Sequence, residues 1–276
     1  FLPEVLFRKK EFINVVLKFF IILGVFTGLV GLLFYFLGLN TSPTFSYASL
    51  AYFRHPNTVA FIYSFSSAIA LYYFLFEKNN VSHLSKIALP FAILIIYAGM
   101  LFTFSRAGYL SLAINTFMLI YYYNKKVLLF LIIFTAIISS YLIKVFVLAK
   151  GAGSSVSRLG LIYSAVEMLK SSTVGFLFGF GTSSVFDIFQ EFKFQLGPLL
   201  EDISYPHNFI LFYTMQFGVL SLIVLLFYIY RLIIFFKKRF KSDFKKYKFY
   251  LLPFVIVISV FFQSLLEDTI LLPEFF

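Results

Sequence analysis

The sequence of 276 residues contains no cysteine and few charged side chains. Without cysteine, a disulfide framework, a thiolate nucleophile, a zinc–thiolate site and an iron–sulfur cluster are all excluded. The sequence also lacks a phosphate-binding glycine loop that ends in Lys-Ser or Lys-Thr, and it lacks a His-Glu-x-x-His motif. We therefore predict neither a cofactor nor a metal site.

The sequence is instead rich in apolar residues. Hydrophobic residues make up 61% of the chain, and it contains 42 Phe and 19 Tyr. A water-soluble fold of this size would expose large apolar patches, so we predict an all-α polytopic membrane protein. About 20 apolar residues cross a bilayer as a helix. Seven segments are candidate spans, which are residues 15–39, 58–76, 87–104, 109–123, 127–148, 208–233 and 249–271.

The basic residues give these spans an orientation. The net charge is +11, but the Lys and Arg residues stand between apolar runs rather than along one polar face, which argues against nucleic acid as a partner. If all seven segments cross, the basic clusters fall on one side, which the positive-inside rule makes the cytoplasm. The clusters are Arg8 to Lys18, Lys78 with Lys86, Lys125 with Lys126, and the seven basic residues between Lys237 and Lys248.

One connection is much longer than the others. Residues 149–207 form a large extracytoplasmic loop inserted into a single membrane domain, 1–276, and long loops in compact domains are usually functional. Within the loop, residues 156–170 have the pattern of a helix that lies along the membrane surface. The next stretch, 174–181, is too glycine-rich for a comfortable helix. Because the chain starts at Phe1, we expect it to be the later part of a longer bundle.

Three arginines fall on the outer side, where the positive-inside rule disfavours them. Arg106 lies between the third and fourth spans, which we expect to turn at Gly108, and a guanidinium there is costly unless it snorkels or meets an anion. One interpretation is that Arg106 snorkels to a lipid headgroup phosphate, and the other is that it binds the anion of a functional site. Arg158, at the start of the surface helix, is alternatively a solvated charge, and Arg54 an interfacial anchor.

His207 is the histidine best placed for chemistry. It lies between Pro206 and Asn208, where the long loop re-enters the membrane, and an imidazole there can act as a base near neutral pH. The alternative is an interfacial residue that caps the sixth span together with Asn208. Both roles remain open from the residues alone.

Four pieces of the sequence, taken in order, resemble the O-antigen ligase and polymerase superfamily of envelope glycosyltransferases. His55-Pro-Asn57 resembles its Pro-Asn element, and Ser105-Arg106-Ala-Gly108 resembles its Ser-Arg-Gly turn. Arg158 with the following helix and glycine-rich stretch resembles the start of its large periplasmic loop. Most specific is His207-Asn208, followed by nine residues, Gly218 and Ser221, where a second Gly is commoner.

This resemblance implies a function. Members move a glycan from an undecaprenyl diphosphate carrier to a glycan, lipid A-core or protein hydroxyl, on the outer face of the bacterial cytoplasmic membrane, without a cofactor or metal. It implies that Arg106 and Arg158, with Arg54 as a weaker candidate, contact the diphosphate. His207 would be the catalytic base, with Asn208, Ser105 and Gly218 in support.

A lipid-linked glycan flippase or another polytopic transporter is the main alternative function, with outer arginines along a pathway and His207 as a proton relay. No inverted repeat is visible in the sequence to favour it. A non-catalytic scaffold would not explain the outer arginines. The sequence does not separate a ligase from a polymerase or a protein oligosaccharyltransferase.

Overall fold

The computed structural model describes residues 10–39, 51, 53, 56–77, 83–133, 135, 153–193 and 208–266. Helices dominate this part of the chain and it contains no strand, which confirms the all-α prediction for these residues. The main helices are α1 (Lys10–Phe36), α2 (Pro56–Phe76), α3 (His83–Phe102), α4 (Arg106–Tyr123), α5 (Gly153–Lys170), α6 (Thr173–Phe178), α7 (Val185–Phe192), α8 (Phe209–Ser242), α9 (Phe244–Tyr247) and α10 (Leu251–Leu266).

These helices belong to two compact units. Unit 1 takes its described residues from 1–132 and 245–263, and unit 2 takes them from 133–244 and 264–276. Unit 1 therefore holds α1 to α4 and most of α10, and unit 2 holds α5 to α8 with the last turn of α10.

In unit 1, successive helices alternate in direction. The hydroxyl of Tyr73 near the end of α2 donates to Asn14 Oδ1 near the start of α1 at 2.8 Å, so α1 and α2 are antiparallel. The rings of Phe36 and Phe102 lie 5.5 Å apart at the ends of α1 and α3, which are parallel. α4 in turn runs parallel to α2, because Gly108 near the start of α4 packs against Ala60 near the start of α2.

Small residues let these helices approach closely. A Cβ on Gly24 would lie 2.4 Å from Ser66 Cβ, and one on Gly28 would lie 2.9 Å from Ile95 Cγ2. A Cβ on Gly99 would lie 2.8 Å from the Tyr63 ring. Glycines spaced four apart on α1 are a common device for packing helices in lipid, where association depends on close contact rather than on the hydrophobic effect.

Polar side chains join α2 to α4 inside the unit. The hydroxyls of Ser64 and Ser111 are hydrogen-bonded, and Asn115 Nδ2 donates to the Ser64 carbonyl oxygen at 2.9 Å. All three residues are buried. Hydrogen bonds of this kind hold helices together where no water competes for the groups.

Unit 2 packs α5, α7 and the first part of α8 around a small apolar core. The core residues are Leu161, Ala165, Met168, Leu169, Val185, Phe189, Phe212 and Met215. The predicted helix 156–170 is thus confirmed as α5, which begins at Gly153. Leu159, Ile162 and Tyr163 of this helix are exposed. The prediction for the glycine-rich stretch is partly wrong, because Thr173–Phe178 forms α6, with Ser172 as its N-cap.

Within the part of the chain that the structure describes, four helices are long and apolar enough to cross a membrane: Phe12–Phe36, Pro56–Phe76, Phe209–Ser242 and Lys248–Leu265. They correspond to the predicted spans 15–39, 58–76, 208–233 and 249–271. The predicted span 87–104 corresponds to a shorter apolar helix, Lys86–Phe102. α4 is not among the four, and most of 127–148 lies outside the described residues. Seven spans remain a prediction.

The described lysines of unit 1 gather at one end of the bundle. Lys18 and Lys86 lie near the starts of α1 and α3, and Lys125 follows the end of α4. Lys248 forms an ion pair with Glu77, just after α2, at 2.8 Å. Arg106 begins α4 at the other end. This separation of charge is what the positive-inside rule requires of a membrane-spanning bundle.

We therefore expect reporter fusions to give opposite readings at the two ends. A reporter placed after Lys126 or after Lys241 should be cytoplasmic, and one placed near Gly197 should be external, because the basic clusters resist translocation. Paired alkaline phosphatase and fluorescent protein fusions measure this. A reversed reading at any of the three sites would contradict the proposed orientation.

Candidate functional site

In unit 1 the connection between α3 and α4 is a tight, buried turn. Thr103 Oγ1 donates to the Met100 carbonyl oxygen at 2.7 Å and accepts from the Ser105 N–H at 3.2 Å. Phe104 takes a φ of 54°, in the left-handed region. The chain thus reverses over Thr103 to Ser105, and the prediction of a turn at Gly108 is wrong.

Gly108 instead lies inside the first turn of α4, where it permits close packing. A Cβ at this position would lie 2.6 Å from Ala60 Cβ and 2.8 Å from Met100 Sδ. The Gly108 N–H donates to Ser105 Oγ at 3.1 Å, which makes Ser105 the N-cap of α4. The sequence pattern indicated a turn near Gly108. It did not indicate that this glycine allows α4 to pack against Ala60 of α2.

Ser105 also connects this turn to the start of α2. Its hydroxyl donates to Asn57 Oδ1 at 2.6 Å, and both residues are buried. Asn57 belongs to the Pro-Asn element and Ser105 to the Ser-Arg-Gly turn, and the two residues are 48 positions apart in the sequence. This hydrogen bond therefore joins the two motifs. The bond fixes the N-terminus of α4 relative to α2.

Arg106 follows directly as the first residue of α4, and it is exposed. Its guanidinium adds a full positive charge to the partial positive charge of the helix N-terminus. The backbone that carries it is held by the buried bonds of Ser105. This combination is chemically suited to an anion with several oxygens, such as a phosphate or diphosphate.

Other predicted site residues are described less completely. His207 and Arg54 lie outside the described residues. Arg158 lies within α5, which begins five residues earlier at Gly153, so the arginine does not open the helix as predicted. Its contribution to an anion site stays a prediction.

In unit 2, Asn208 occupies the junction that follows His207. Its Oδ1 accepts from the Leu211 N–H at 3.0 Å and so caps α8, and its Nδ2 donates to the Leu265 carbonyl oxygen at 2.9 Å near the end of α10. The predicted cap is confirmed for Asn208. Both the oxygen and the nitrogen of this amide form hydrogen bonds, so Asn208 fixes where α8 begins.

Gly218 interrupts α8 and is separated from Asn208 by the residues 209–217. It has φ 80° and ψ 166°, a conformation open almost only to glycine. Gly179, just after α6, has nearly the same angles, φ 86° and ψ 168°. A Cβ on Gly218 would lie 2.2 Å from the Leu177 carbonyl oxygen, and one on Gly179 would lie 2.2 Å from the Gln216 carbonyl oxygen. The two glycines thus pack reciprocally, backbone against backbone.

Two hydrogen bonds reinforce this contact. The Phe180 N–H donates to the Met215 carbonyl oxygen at 2.8 Å, and the Gly181 N–H donates to the Gln216 carbonyl oxygen at 3.1 Å. The kink at Gly218 turns these carbonyls away from the helical pattern, and the glycine-rich stretch satisfies them. The segment 209–217 is therefore anchored at Asn208 on one side and at Gly218 on the other.

The structure therefore assembles two sets of residues, each within its own unit. Asn57, Ser105 and Arg106 come together in unit 1, and Asn208 and Gly218 flank one helical segment in unit 2. Sequence reasoning did not identify Asn57 or Gly179 as site residues. In the part of the chain that the structure describes, no cluster of His, Asp and Glu forms a possible metal site.

A family model described as O-antigen ligase matches residues 90–226. The matched range contains Ser105, Arg106, Arg158, His207 and Gly218, whereas Arg54 and Asn57 lie before it. No curated protein and no solved structure matched the chain.

Proposed function

Because the chain belongs to the O-antigen ligase and polymerase superfamily, we propose that it transfers a glycan from an undecaprenyl diphosphate carrier to an acceptor hydroxyl. The reaction takes place on the extracytoplasmic face of the cytoplasmic membrane. The observation that carries this proposal is the position of Arg106, which follows a turn fixed by buried hydrogen bonds at the end of unit 1 remote from its described lysines.

The chemistry requires stabilisation of a leaving diphosphate. The acceptor oxygen forms a bond to the anomeric carbon while the bond from that carbon to the phosphate oxygen breaks, and polyprenyl diphosphate departs with the electron pair. Fixed guanidinium groups stabilise the negative charge that develops on the leaving group. Arg106 and Arg158 are proposed for this role, with Arg54 as a weaker contributor. In-line displacement inverts the anomeric centre.

The acceptor hydroxyl must lose its proton during the attack, and His207 is proposed to receive it. Asn208 supports this role from the next position in the chain. Its side chain caps α8 and bonds the Leu265 carbonyl, so the backbone that follows His207 is fixed by interactions that do not need the imidazole. A base held by rigid backbone is effective because proton transfer depends on position.

The turn around Ser105 supports Arg106 in the same way. Buried hydrogen bonds from Ser105 to Asn57 and Gly108 fix the start of α4. The guanidinium therefore projects from a fixed point, and less conformational entropy is lost when it engages two phosphate oxygens.

Arg106→Lys and Arg158→Lys should each reduce transfer by about tenfold or more, although charge is kept. A lysine is a point charge and loses the two parallel bonds that a guanidinium forms with phosphate. Initial rates at saturating donor, measured on purified variants, test this expectation.

Arg231→Lys is the matched control. Arg231 lies over the Phe227 ring at 5.9 Å on α8, in a contact that a lysine can also make, so its replacement should leave the rate unchanged. Wild-type rates in both the Arg106 and Arg158 variants would rule out a bidentate contact and favour simple surface charge.

Deletion of the parent gene tests the proposal in the cell. Single glycan units left on the carrier or on lipid A-core would identify a polymerase, and full-length polymer stranded on the carrier would identify a ligase. Carrier-linked units trapped on the cytoplasmic face would instead identify a transporter and overturn the proposal, as would an unchanged envelope glycan.

A further inference from the structure

Unit 1 contains an apolar groove near its basic end, which we call the Lys18 groove. It has a cavity volume of about 760 Å³. It lies between α1 and α3, with Tyr73 of α2 also in its wall. Its lining residues are Lys18, Ile21, Ile22, Val25, Phe26, Leu29, Tyr73, Ala88, Leu89, Phe91, Ala92 and Ile95.

One end of the groove lies where α1 and α3 pack closely. At Gly28 the two helices are in backbone contact, since a Cβ there would lie 3.2 Å from the Ile95 carbonyl oxygen. Towards the start of α3 the wall is formed by Ala88 and Ala92, one turn apart, whose small side chains leave the space unfilled. The result is a channel that is closed at Gly28 and lined by alkyl and aromatic groups.

Among the described residues that line the groove, Lys18 is the one cation, and it is exposed. It lies six residues after Phe12, the first residue of the membrane-spanning part of α1, or about 9 Å along the helix axis. Glu77, the nearby acid after α2, is already paired with Lys248 at 2.8 Å. A lysine at this depth extends its ammonium towards the lipid phosphates.

We propose that the Lys18 groove binds an anionic glycerophospholipid, with one acyl chain between α1 and α3 and the phosphate on Lys18. Charge complementarity selects this occupant, because an apolar channel whose described lining carries one cation, Lys18, matches an alkyl chain that ends in an anion. The groove is separate from the Arg106 contact proposed above, since Arg106 lies at the opposite end of unit 1.

The absence of tryptophan from the chain permits a direct test. A Phe91→Trp reporter in the full chain places the sole indole in the groove, and a Val224→Trp reporter on exposed α8 serves as a control for bulk lipid. Each is reconstituted in phosphatidylcholine bilayers that contain phosphatidylglycerol or phosphatidylcholine with brominated acyl chains, which quench indole fluorescence on contact.

At the Phe91→Trp reporter, brominated phosphatidylglycerol should quench at about fivefold lower mole fraction than brominated phosphatidylcholine. Adding Lys18→Gln should abolish the preference and adding Lys18→Arg should keep it. The Val224→Trp reporter should show no preference.

Three results would overturn the proposal. One is equal quenching by the two lipids at the Phe91→Trp reporter, and another is a preference that survives Lys18→Gln. The third is displacement of brominated phosphatidylglycerol by undecaprenyl phosphate at lower mole fraction than by unlabelled phosphatidylglycerol, which would make the groove a site for a polyprenyl tail.

Discussion

Replacement of His207 by alanine is expected to reduce glycan transfer by about 10²–10⁴-fold while the protein still folds and inserts. The loss follows from removal of the group that accepts the hydroxyl proton. The fold should persist because the Asn208 side chain caps α8 and bonds the Leu265 carbonyl. Transfer rates and the thermal unfolding of the detergent-solubilised variant measure the two effects separately.

Two further variants separate a base from an interfacial anchor. His207→Gln keeps polar groups and similar size but cannot take up the proton, so it should be as inactive as the alanine variant. His83→Ala, at the start of α3, should retain full activity. Near-normal transfer by a well-folded His207→Ala protein would reject the general-base role.

Gly218→Ala is expected to destabilise unit 2 by roughly 3–5 kcal/mol, from backbone strain and overpacking together. The new Cβ would lie 2.2 Å from the Leu177 carbonyl oxygen, which is backbone and cannot rotate away. The contact between Gly179 and Gly218 should then open. We expect a lower Tm by roughly 10 °C, which thermal unfolding in detergent can measure, and a large loss of transfer.

Gly181→Ala is the matched control in the same unit. Gly181 also has a positive φ, 85°, but the nearest heavy atom to its added Cβ is Ser184 Oγ at 3.6 Å, an ordinary contact. It should cost only the conformational strain, on the order of 1 kcal/mol. Equal destabilisation in the two variants would show that the reciprocal packing of Gly218 contributes little.

Helix content and the long apolar helices were predictable because they depend on composition over windows of about 20 residues. The turn before α4 was not correctly placed. Local pattern suggested Gly108, whereas the chain reverses at Thr103 to Ser105, since the Ser105 side chain caps the helix and Gly108 is needed for contact with Ala60. The sequence alone does not distinguish a glycine that permits a helix contact from a glycine that permits a turn.

The long-range contacts of the site were also beyond the reach of the sequence. The motif spacing identified Ser105 and Gly218, but not their partners. Asn57 meets Ser105 through a hydrogen bond that spans 48 positions, and Gly179 meets Gly218 through backbone contact without any side-chain signal. Such pairs depend on how helices pack, which no local pattern encodes.

The most direct test of the central claim is transfer by the purified full-length protein in proteoliposomes. The reaction contains a glycan on undecaprenyl diphosphate and a soluble or lipid-borne glycan acceptor, without nucleotide, and mass spectrometry follows both products. The account predicts a new glycosidic bond with inverted anomeric configuration, released undecaprenyl diphosphate in equal amount, and loss of both products in His207→Ala. Passage of the intact donor across the bilayer without glycan transfer would contradict it.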